Sequence, residues 1–329
     1  MSKEVDIKRI GVYTSGGDAP GMNAAIRAVV RTASYHDLHI YGIECGYEGM
    51  INGQIRRLDT KDVSNIIHRG GTILKTARSK EFHTEEGRAS AYEHLMAHDI
   101  DGLIGIGGNG TFTGANIFSK EYNIPVIGIP GTIDNDLYGT DYTIGFDTAV
   151  NTAIEAVDRI RDTADSHNRL FFVEVMGRDA GFIALTAGIG SGSGKIFIPE
   201  VDTSIEDLCA ALKKAIKRKK LFSLMIVAEG NKTGGAQQLA EAVNKAFDDY
   251  EPRVTIIGHL QRGGSPTAQD RVLASRLGFE AVEGLLKGEK NVMVGVVNNK
   301  TRFTPFEDAI SKHKKMDKAL LRMAEILAL

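Results

Sequence analysis

Short apolar runs alternate along this chain with segments whose apolar residues recur three and four positions apart. The runs read RIGVYT, GLIGIGG, IPVIGIP, LFFVEVMG and SLMIVAEG, at residues 9–14, 102–108, 124–130, 170–177 and 223–230. The helix-like segments include residues 23–34, 149–164 and 205–220. Runs this short and apolar predict parallel strands that are buried on both faces. Their alternation with amphipathic helices predicts an α/β protein.

Length and composition narrow the class of protein further. A chain of 329 residues suggests about two domains. Its 40 lysines and arginines nearly balance 42 acids, which argues against a nucleic-acid-binding protein. Cys45 and Cys209 lack metal-ligand spacing, and two cysteines predict no disulfide framework. The first residues lack the apolar core of a signal peptide, and no stretch reaches the ~20 apolar residues that span a membrane. We therefore expect a cytoplasmic protein.

Two glycine-rich loops follow predicted strands, where α/β sheets bind their ligands. In TSGGDAPGMNAAIRAVV, Gly16 and Gly17 let backbone N–H groups approach an anion at the start of a helix. This loop matches neither GxxxxGK[ST] nor GxGxxG, so a plain strand–helix turn fits it equally well. GGNGT at 107–111 repeats the pattern, and two such loops favour a clamp for a polyphosphate. Thr111 could also serve as the N-cap of the next helix.

The sequence GTIDND places Asp134 and Asp136 two residues apart, just past a predicted strand. At this spacing one carboxylate can take a proton from a hydroxyl while the other addresses a metal ion. Either acid could instead cap a turn. Their position directly after an apolar run, beside two glycine loops, favours a functional pair.

Basic residues follow two further predicted strands. Arg178, in VMGRDAG, has a planar guanidinium suited to phosphoryl oxygens and to the charge that builds during phosphoryl transfer; the alternative is a surface ion pair with Asp179. His259 and Arg262 precede a glycine pair in HLQRGGSP, an arrangement that suits a sugar phosphate. The basic run at 213–220 is typical of a solvated helix end, with a second anion site as the other interpretation.

Together these motifs resemble the 6-phosphofructokinases, which phosphorylate fructose 6-phosphate at its 1-hydroxyl. The resemblance runs nearly end to end and follows the short bacterial form, through TSGGDAPGMNAAIR, RGGTILKTAR, GGNGT, PGTIDND, GTDYTIGFDTA, EVMGR and GHLQRGGSP. It implies ATP-dependent synthesis of fructose 1,6-bisphosphate in glycolysis, by two doubly wound three-layer α/β domains with largely parallel sheets. The implied nucleotide-binding domain is 1–144 plus 258–308, and the smaller sugar-phosphate-binding domain is 145–257 plus 309–329, with the active site in the cleft between them.

The resemblance also implies residue roles. Asp134 would take the proton from the sugar 1-hydroxyl, Arg178 would stabilise charge on the transferring phosphoryl group, and Thr132 would position the reactants. The nucleotide would be held by Gly16, Arg78, Ser79, Gly108, Asn109, Gly110 and Thr111. The sugar phosphate would be bound by Thr132, Ile133, Asp134, Met176, Gly177, Arg178, Glu229, His259, Leu260, Gln261 and Arg262.

The resemblance further implies a subunit assembly and a metal. Arg169 and Arg253 match two arginines that, in the family, complete the sugar-phosphate site of a neighbouring subunit, so we expect a homo-oligomer, typically a homotetramer. Mg²⁺ is the expected cofactor, with Asp136 near it. The family has an aspartate where Asn109 stands. Because an amide supplies no negative charge and Mg²⁺ prefers carboxylates, we expect weaker metal binding, or more reliance on Asp136 and the nucleotide phosphates.

Two glycine positions, Gly110 and Gly131, bear on the identity of the phosphoryl donor. Pyrophosphate-using relatives carry an acid where Gly110 stands and a lysine where Gly131 stands, and these side chains fill the space that the α-phosphate of ATP needs. Two glycines leave that space open, which predicts ATP. Two alternatives remain open: a pyrophosphate-dependent phosphofructokinase, and a catalytically impaired regulatory paralogue that binds sugar phosphate, which Asn109 motivates.

A regulatory pocket is the last implication. Family bacterial enzymes bind ADP or phosphoenolpyruvate between subunits, and the matching cationic positions are Arg27, Arg31, Arg161, Arg218 and Lys220. Three other positions depart from the pattern, because Gln54 replaces an arginine, Gly194 a metal-binding glutamate and Phe222 a histidine. We therefore expect regulation by these effectors to be weak or altered.

Overall fold

The computed structural model describes residues 7–167, 170–217, 224–247 and 252–328. These residues form two compact units. The first unit takes residues 7–132, 137–147 and 262–314, and the second unit takes the remainder. The domain boundaries expected from the resemblance, 1–144 plus 258–308 and 145–257 plus 309–329, stay a prediction. No helix in the described part of the chain is long and apolar enough to cross a membrane.

The strands and helices alternate as the sequence predicts. The strands are β1 (Arg9–Thr14), β2 (His39–Ile43), β3 (Ile55–Leu58), β4 (Gly102–Gly107), β5 (Val126–Pro130), β6 (Phe171–Val175), β7 (Lys195–Phe197), β8 (Leu224–Ala228), β9 (Arg253–Ile256), β10 (Val292–Val297) and β11 (Lys300–Pro305). The helices are α1 (Met22–Tyr35), α2 (Gly46–Ile51), α3 (Glu85–Ala97), α4 (Asn109–Tyr122), α5 (Phe146–His167), α6 (Phe182–Gly190), α7 (Ile205–Lys217), α8 (Ala236–Ala246), α9 (Ala268–Leu286), α10 (Phe306–Ser311) and α11 (Lys318–Leu327).

The first unit is built on a sheet with the strand order β11-β10-β5-β4-β1-β2-β3. Its inner strands pair in parallel, while β3 and β11 pair antiparallel to β2 and β10 at the two edges. Every residue of β4 and β5 is buried, as a parallel sheet covered on both faces requires. Gly105 admits a large core side chain, because a Cβ there would lie 2.6 Å from the hydroxyl of Tyr13. Because β1, β4 and β5 are adjacent and parallel, their carboxyl ends lie side by side.

The second unit has a smaller sheet of four parallel strands, ordered β7-β8-β6-β9 among the described residues. Its core lies between this sheet and the apolar faces of α7 and α8, and includes Phe172, Phe197, Leu208, Met225 and Leu239. Strands β6 and β8 are adjacent and in register, with Val175 opposite Ala228. The two turns that follow these strands therefore begin next to each other.

The observed elements differ from the sequence-based ones mainly at their ends. The predicted run at 170–177 stops as a strand at Val175, and a turn follows in which the Ala180 N–H donates to the carbonyl of Gly177 at 3.0 Å. Strand β9, Arg253–Ile256, is not among the apolar runs named from the sequence, and a short 3-10 helix, Gly258–Arg262, follows it. The predicted helix at 205–220 extends to Lys217 in the described residues, and its basic continuation, with Arg218 and Lys220, lies outside them.

Candidate active site

The turn after β1 is the first of the predicted phosphate-binding loops. Gly16 has a φ of 86°, which favours glycine, and its carbonyl accepts a hydrogen bond of 2.7 Å from the Thr76 hydroxyl. A Cβ on Gly17 would lie 2.7 Å from Nη1 of Arg262, which also donates to the carbonyl of Asp18 at 3.2 Å. Arg262, predicted from sequence to bind a sugar phosphate, thus lies directly against the first glycine turn.

The turn after β4 is the second predicted loop and is bonded to the first. Helix α4 begins at Asn109, with Gly108 as its N-cap. The Ser15 N–H donates to the carbonyl of Ile106 at 3.0 Å, and the Thr111 hydroxyl donates to the carbonyl of Ser15 at 3.0 Å. A Cβ on Gly107 would lie 2.2 Å from Oγ1 of Thr111. The two glycine turns are therefore packed together with little space between them.

The alternative reading of Thr111 as an N-cap is wrong. Thr111 lies inside α4 rather than before it, and its side chain is committed to the carbonyl of Ser15. Two glycines, Gly108 and Gly110, flank the first residue of α4, so few side chains shield the N–H groups at the start of this helix. A Cβ on Gly110 would meet nothing within 4 Å. This helix start can therefore accept an anion at close range.

Two buried tyrosines, which were not predicted from the sequence, support the second turn. The Tyr47 hydroxyl donates to the carbonyl of Thr111 at 2.5 Å and lies 3.0 Å from the Tyr13 hydroxyl. Burial raises the pKa of both phenols, so both remain protonated donors at neutral pH. Tyr13 in β1 and Tyr47 in α2 look like core residues in the sequence, and nothing in their spacing shows that their hydroxyls reach a loop.

A third segment of the first unit, residues 69–79, carries the predicted nucleotide residues Arg78 and Ser79. Asn23 of α1 is buried and fixes this segment: its Nδ2 donates to the carbonyls of residues 69 and 70, both at 3.1 Å, and its Oδ1 accepts from the Ile73 N–H at 2.8 Å. Arg78 is exposed. The Ser79 hydroxyl accepts from the Phe82 N–H at 3.2 Å. The segment therefore lies beside the first glycine turn.

The turn after β5 contributes Gly131 and Thr132. The Gly131 N–H donates to the carbonyl of Gly107 at 2.9 Å, and the Thr132 carbonyl accepts from the Thr143 hydroxyl at 2.6 Å. A Cβ on Gly131 would lie 3.0 Å from Cγ2 of Ile106 and 3.1 Å from Cε of Met22. Thr132 is thereby held next to the second glycine turn, and the role in positioning reactants that the resemblance implies for it stays a prediction.

The predicted pair of acids belongs to the second unit, in residues 133–136. Asp134 is only 2% exposed, while Asp136 is half-buried. Oδ2 of Asp134 lies 3.4 Å from Nε of Arg178. The structure therefore brings together the two side chains that the sequence proposes for proton removal and phosphoryl stabilisation. The alternative partner for Arg178, Asp179, is exposed.

The turn after β6 has unusual backbone geometry at Gly177 and Arg178, with φ values of 144° and 52°. Oε1 of Glu229 accepts from the Gly177 N–H at 3.2 Å and from the Arg178 N–H at 2.7 Å. Although its backbone is fixed in this way, the side chain of Arg178 is 59% exposed. The guanidinium can therefore meet both Asp134 and a ligand.

The remaining predicted sugar residues are distributed over the second unit. Gln261 is fully buried and holds backbone rather than lying open: its Oε1 accepts from the Met176 N–H at 2.8 Å, and its Nε2 donates to the carbonyl of Ala149 at 3.3 Å. His259 and Leu260 are exposed, as is Arg253 on β9. Arg169 lies outside the described residues.

These features can be compared with known proteins. A family model described as Phosphofructokinase matches residues 9–285. This chain belongs to the phosphofructokinase family. The resemblance seen in the sequence motifs is thereby confirmed.

Individual family members are similar over nearly the whole chain. An ATP-dependent 6-phosphofructokinase of Cytophaga hutchinsonii is 55% identical over 321 residues, which cover 98% of this chain and 98% of that protein. An ATP-dependent 6-phosphofructokinase 1 of Thermus thermophilus is 57% identical over 323 residues, which cover 98% of this chain and 100% of that protein. The match is end to end in both cases.

Solved phosphofructokinase structures share the fold. Pichia pastoris phosphofructokinase in the T-state has a TM-score of 0.87 and 36% identity over 93% of this chain, which spans 35% of that longer chain. Pyrophosphate-dependent phosphofructokinase from Marinobacter aquaeolei has a TM-score of 0.82 and 26% identity, covering 94% of this chain and 86% of that one. The predicted α/β fold with two largely parallel sheets is confirmed.

The residues expected to hold a metal or an effector were also located in the structure. Across the described ranges, no group of three His, Cys, Asp or Glu side chains could hold a metal ion. Asn109 is the first residue of α4. On α1, burial and the neighbouring charge of Arg31 lower the pKa of Arg27. Arg161 donates to the carbonyl of Ser191.

Of the three positions that depart from the family's effector pattern, the two in the described residues lie beside different strands. Gln54 is exposed beside β3, and its N–H donates to the carbonyl of Gly49 at 2.8 Å. Gly194 precedes β7, and its N–H donates to the carbonyl of Leu224 at 3.0 Å. Phe222 lies outside the described residues.

Proposed function

We propose that this chain is an ATP-dependent 6-phosphofructokinase, which transfers the γ-phosphoryl group of ATP to the 1-hydroxyl of fructose 6-phosphate. The products are fructose 1,6-bisphosphate and ADP. The observation that carries the proposal is the buried carboxylate of Asp134 with the Arg178 guanidinium at 3.4 Å. The names of the relatives at 55% and 57% identity support the same donor and acceptor.

In this reaction Asp134 acts as general base. Its carboxylate accepts the proton of the 1-hydroxyl as that oxygen forms a bond to the γ-phosphorus, and the bond from phosphorus to the ADP oxygen breaks. A positioned general base contributes about 10²–10⁴ in rate. Arg178 donates hydrogen bonds to the transferring oxygens, whose charge it stabilises. Thr132, held by Thr143, positions the reactants.

The nucleotide is bound by the glycine turns of the first unit. Backbone N–H groups at the start of α4 address its phosphates, because glycines there let the main chain approach closely. The proposed nucleotide residues are Gly16, Arg78, Ser79, Gly108, Asn109, Gly110 and Thr111. Sugar-phosphate contacts come from Thr132, Ile133, Asp134, Met176, Gly177, Arg178, Glu229, His259, Leu260 and Arg262, while the buried Gln261 supports this set by accepting from the Met176 N–H.

The nucleotide phosphates would hold most of the Mg²⁺ coordination, with two side chains of this chain in support. This cation is commonly bound through one or two carboxylates together with substrate phosphates, and the chain offers the carboxylate of Asp136 and the amide oxygen of Asn109. This donor set fits a metal that arrives with ATP better than a metal with its own protein cage. When bound, Mg²⁺ neutralises charge on the phosphates.

The active form is a homo-oligomer, with a homotetramer as the proposed state. Arg169 and Arg253 would complete the sugar-phosphate site of a neighbouring subunit, and the exposed position of Arg253 on β9 is compatible with that role. The proposed location is the cytoplasm, since both substrates are multiply charged phosphate esters that do not cross membranes unaided.

The donor is tested by initial rates with ATP and with pyrophosphate, each across a magnesium series. We expect fructose 1,6-bisphosphate and ADP from ATP, because Gly110 leaves open space where an acid would stand. Turnover with pyrophosphate alone would overturn the donor assignment. Binding of fructose 6-phosphate without turnover with either donor would favour the regulatory paralogue instead.

We also propose that regulation by ADP and phosphoenolpyruvate is weak or altered. Arg27 and Arg31 remain as paired cations on α1, with the pKa of Arg27 lowered by burial and by Arg31, but Gln54, Gly194 and Phe222 remove three family contacts. Fructose 6-phosphate saturation curves, with and without each effector, test this. A large shift of the half-saturation point by either effector would contradict it.

A further inference from the structure

The backbone of Arg178 lies in a conformation that residues other than glycine rarely adopt. Its φ is 52°, in the left-handed region that sterically favours glycine. The preceding residue, Gly177, has a φ of 144°, and a Cβ there would lie 2.5 Å from the carbonyl oxygen of Ala180. A conformation of this kind persists only where the surroundings enforce it.

One enforcing contact comes from the turn after β8. A single oxygen of the Glu229 carboxylate, Oε1, accepts the N–H groups of both Gly177 and Arg178, at 3.2 and 2.7 Å. Glu229 is itself anchored, since its N–H donates to the carbonyl of Val175 at 2.9 Å. Hydrogen bonds to an ionised acceptor are stronger than neutral ones, so this carboxylate fixes two successive peptide groups.

The second enforcing feature is the absence of a side chain at Gly230. A Cβ on Gly230 would lie 1.9 Å from the carbonyl oxygen of Arg178, 2.9 Å from its carbonyl carbon and 3.2 Å from Cα of Asp179. All three atoms are backbone, so they cannot rotate away as the end of a side chain can. Any residue other than glycine at 230 therefore forces a shift of backbone where this turn meets the Arg178 peptide.

The Arg178 peptide in turn determines where the guanidinium lies. Nε of Arg178 is 3.4 Å from Oδ2 of the buried Asp134. A displaced backbone carries the guanidinium away from this carboxylate and from the phosphoryl group that it is proposed to stabilise. Catalytic groups are sensitive to such shifts, since about 1 Å of misplacement can cost about 10²-fold in rate.

We propose that Glu229 and Gly230 form a positioning device for Arg178, in which the carboxylate holds the left-handed turn and the missing side chain leaves room for it. This assigns Gly230 a part in the reaction and gives Glu229 a task beyond contact with the sugar. The inference rests on the proposed function through the role of Arg178 in phosphoryl transfer.

The first test is Gly230→Ala, with Gly190→Ala as the matched control. A Cβ on Gly190, in α6, would meet only the mobile end of Ile154, at 2.8 Å. We expect Gly230→Ala to lower kcat by about 10²-fold, the scale of a misplaced catalytic group, while KM for ATP and the melting temperature stay close to those of the control. A kcat equal to that of the control would overturn the proposal.

A double-mutant cycle shows whether the loss acts through Arg178. Residues that work as a unit have strongly non-additive effects on kcat. We therefore expect Gly230→Ala to cost little more than about twofold when it is introduced into Arg178→Ala, against the full loss in the parent chain. An equal loss in both backgrounds would mean that Gly230 acts elsewhere.

The Glu229 substitutions test the carboxylate and do not depend on how Gly230→Ala folds. Glutamine keeps an oxygen that can accept both N–H bonds, whereas alanine keeps none. We expect Glu229→Ala to lower kcat several-fold more than Glu229→Gln, with the difference vanishing in Arg178→Ala. If the two variants raise KM for fructose 6-phosphate and leave kcat equal, Glu229 is a sugar contact only and the proposal is wrong.

The same data separate this inference from the proposed function. If the parent chain shows no turnover with ATP, or if Arg178→Ala leaves kcat unchanged, the proposed function or its assignment of Arg178 fails. If Arg178→Ala lowers kcat while the Gly230 and Glu229 variants do not, only the positioning device is refuted.

Discussion

The turns after β4 and β6 follow buried parallel strands, yet they meet opposite requirements. After β4 the chain presents bare backbone at Gly107 and Gly108, and its support comes from the hydroxyls of Thr111 and Tyr47. After β6 the chain presents a side chain, that of Arg178, from a left-handed backbone. The turn after β4 requires that side chains be absent, whereas the turn after β6 requires that one residue with a side chain be held in a left-handed backbone conformation.

This difference explains where each turn finds its support. Gly16 adopts its φ of 86° without steric cost, and Gly107 leaves the space that the Thr111 side chain occupies, so the turns after β1 and β4 are supported mainly by contacts within the first unit. Arginine in the left-handed region needs outside enforcement, which arrives from the turn after β8 through the Glu229 carboxylate. We therefore propose that the first unit binds the phosphoryl donor and that the turn at Arg178 carries the chemistry of transfer.

The largest expected effect is that of Asp134→Asn, which removes the base and leaves the glycine turns unchanged. We expect kcat to fall by about 10²–10⁴, with KM for ATP little changed. Steady-state kinetics measure both. Asp202→Asn is the control, because Asp202 is an exposed acid of the second unit that pairs with Lys232 on the surface. A loss of ATP binding in Asp134→Asn would break the division of roles between the two turns.

A smaller effect is expected in the first unit from Thr111→Val, which removes the hydrogen bond to the carbonyl of Ser15. An unsatisfied buried acceptor costs about 1–3 kcal/mol, so the free energy of unfolding should fall by that order. KM for ATP should rise while kcat at saturating ATP is retained. Thr113→Val, whose hydroxyl donates only to the carbonyl of Asn109 in α4, is the matched control. A fall in kcat with unchanged KM would contradict the assignment.

The smallest effect is expected from Asn109→Asp at the start of α4. A carboxylate restores the ligand that Mg²⁺ prefers, and a negative charge at a helix N-terminus is favourable by about 0.3–1 kcal/mol. The magnesium concentration for half-maximal rate should therefore decrease. Asn116→Asp, further along α4, adds the same charge away from the N-terminus. An unchanged magnesium requirement would mean that residue 109 does not lie near the metal as we propose.

Local patterns made most of the fold predictable. The apolar runs and glycine loops mark β1, β4, β5, β6 and β8 because burial on both faces and close backbone approach leave a direct trace in composition. Strand ends were less accurate, as at Val175, since residues 176 and 177 are apolar or small and do not show that the strand has ended.

The supports of the site were not predictable from local pattern. Tyr47 reaches the carbonyl of Thr111 over 64 residues, and Asn23 fixes the segment that begins at Arg69 over 46 residues. Gly230 looks like an ordinary turn glycine, and only the structure shows that its missing Cβ makes room for Arg178. These contacts depend on tertiary packing, which spacing along one chain does not encode.

The central claim is that Arg178 acts in phosphoryl transfer and that the nucleotide is held by the glycine turns. Calorimetric titration of ATP into Arg178→Ala, combined with kcat at saturating substrates, tests this most directly. We predict an ATP dissociation constant close to that of the parent chain and a kcat lower by about 10²-fold or more, as expected on loss of a group that stabilises transition-state charge. An ATP dissociation constant that rises in proportion to the lost activity, with kcat retained at saturation, would contradict the account.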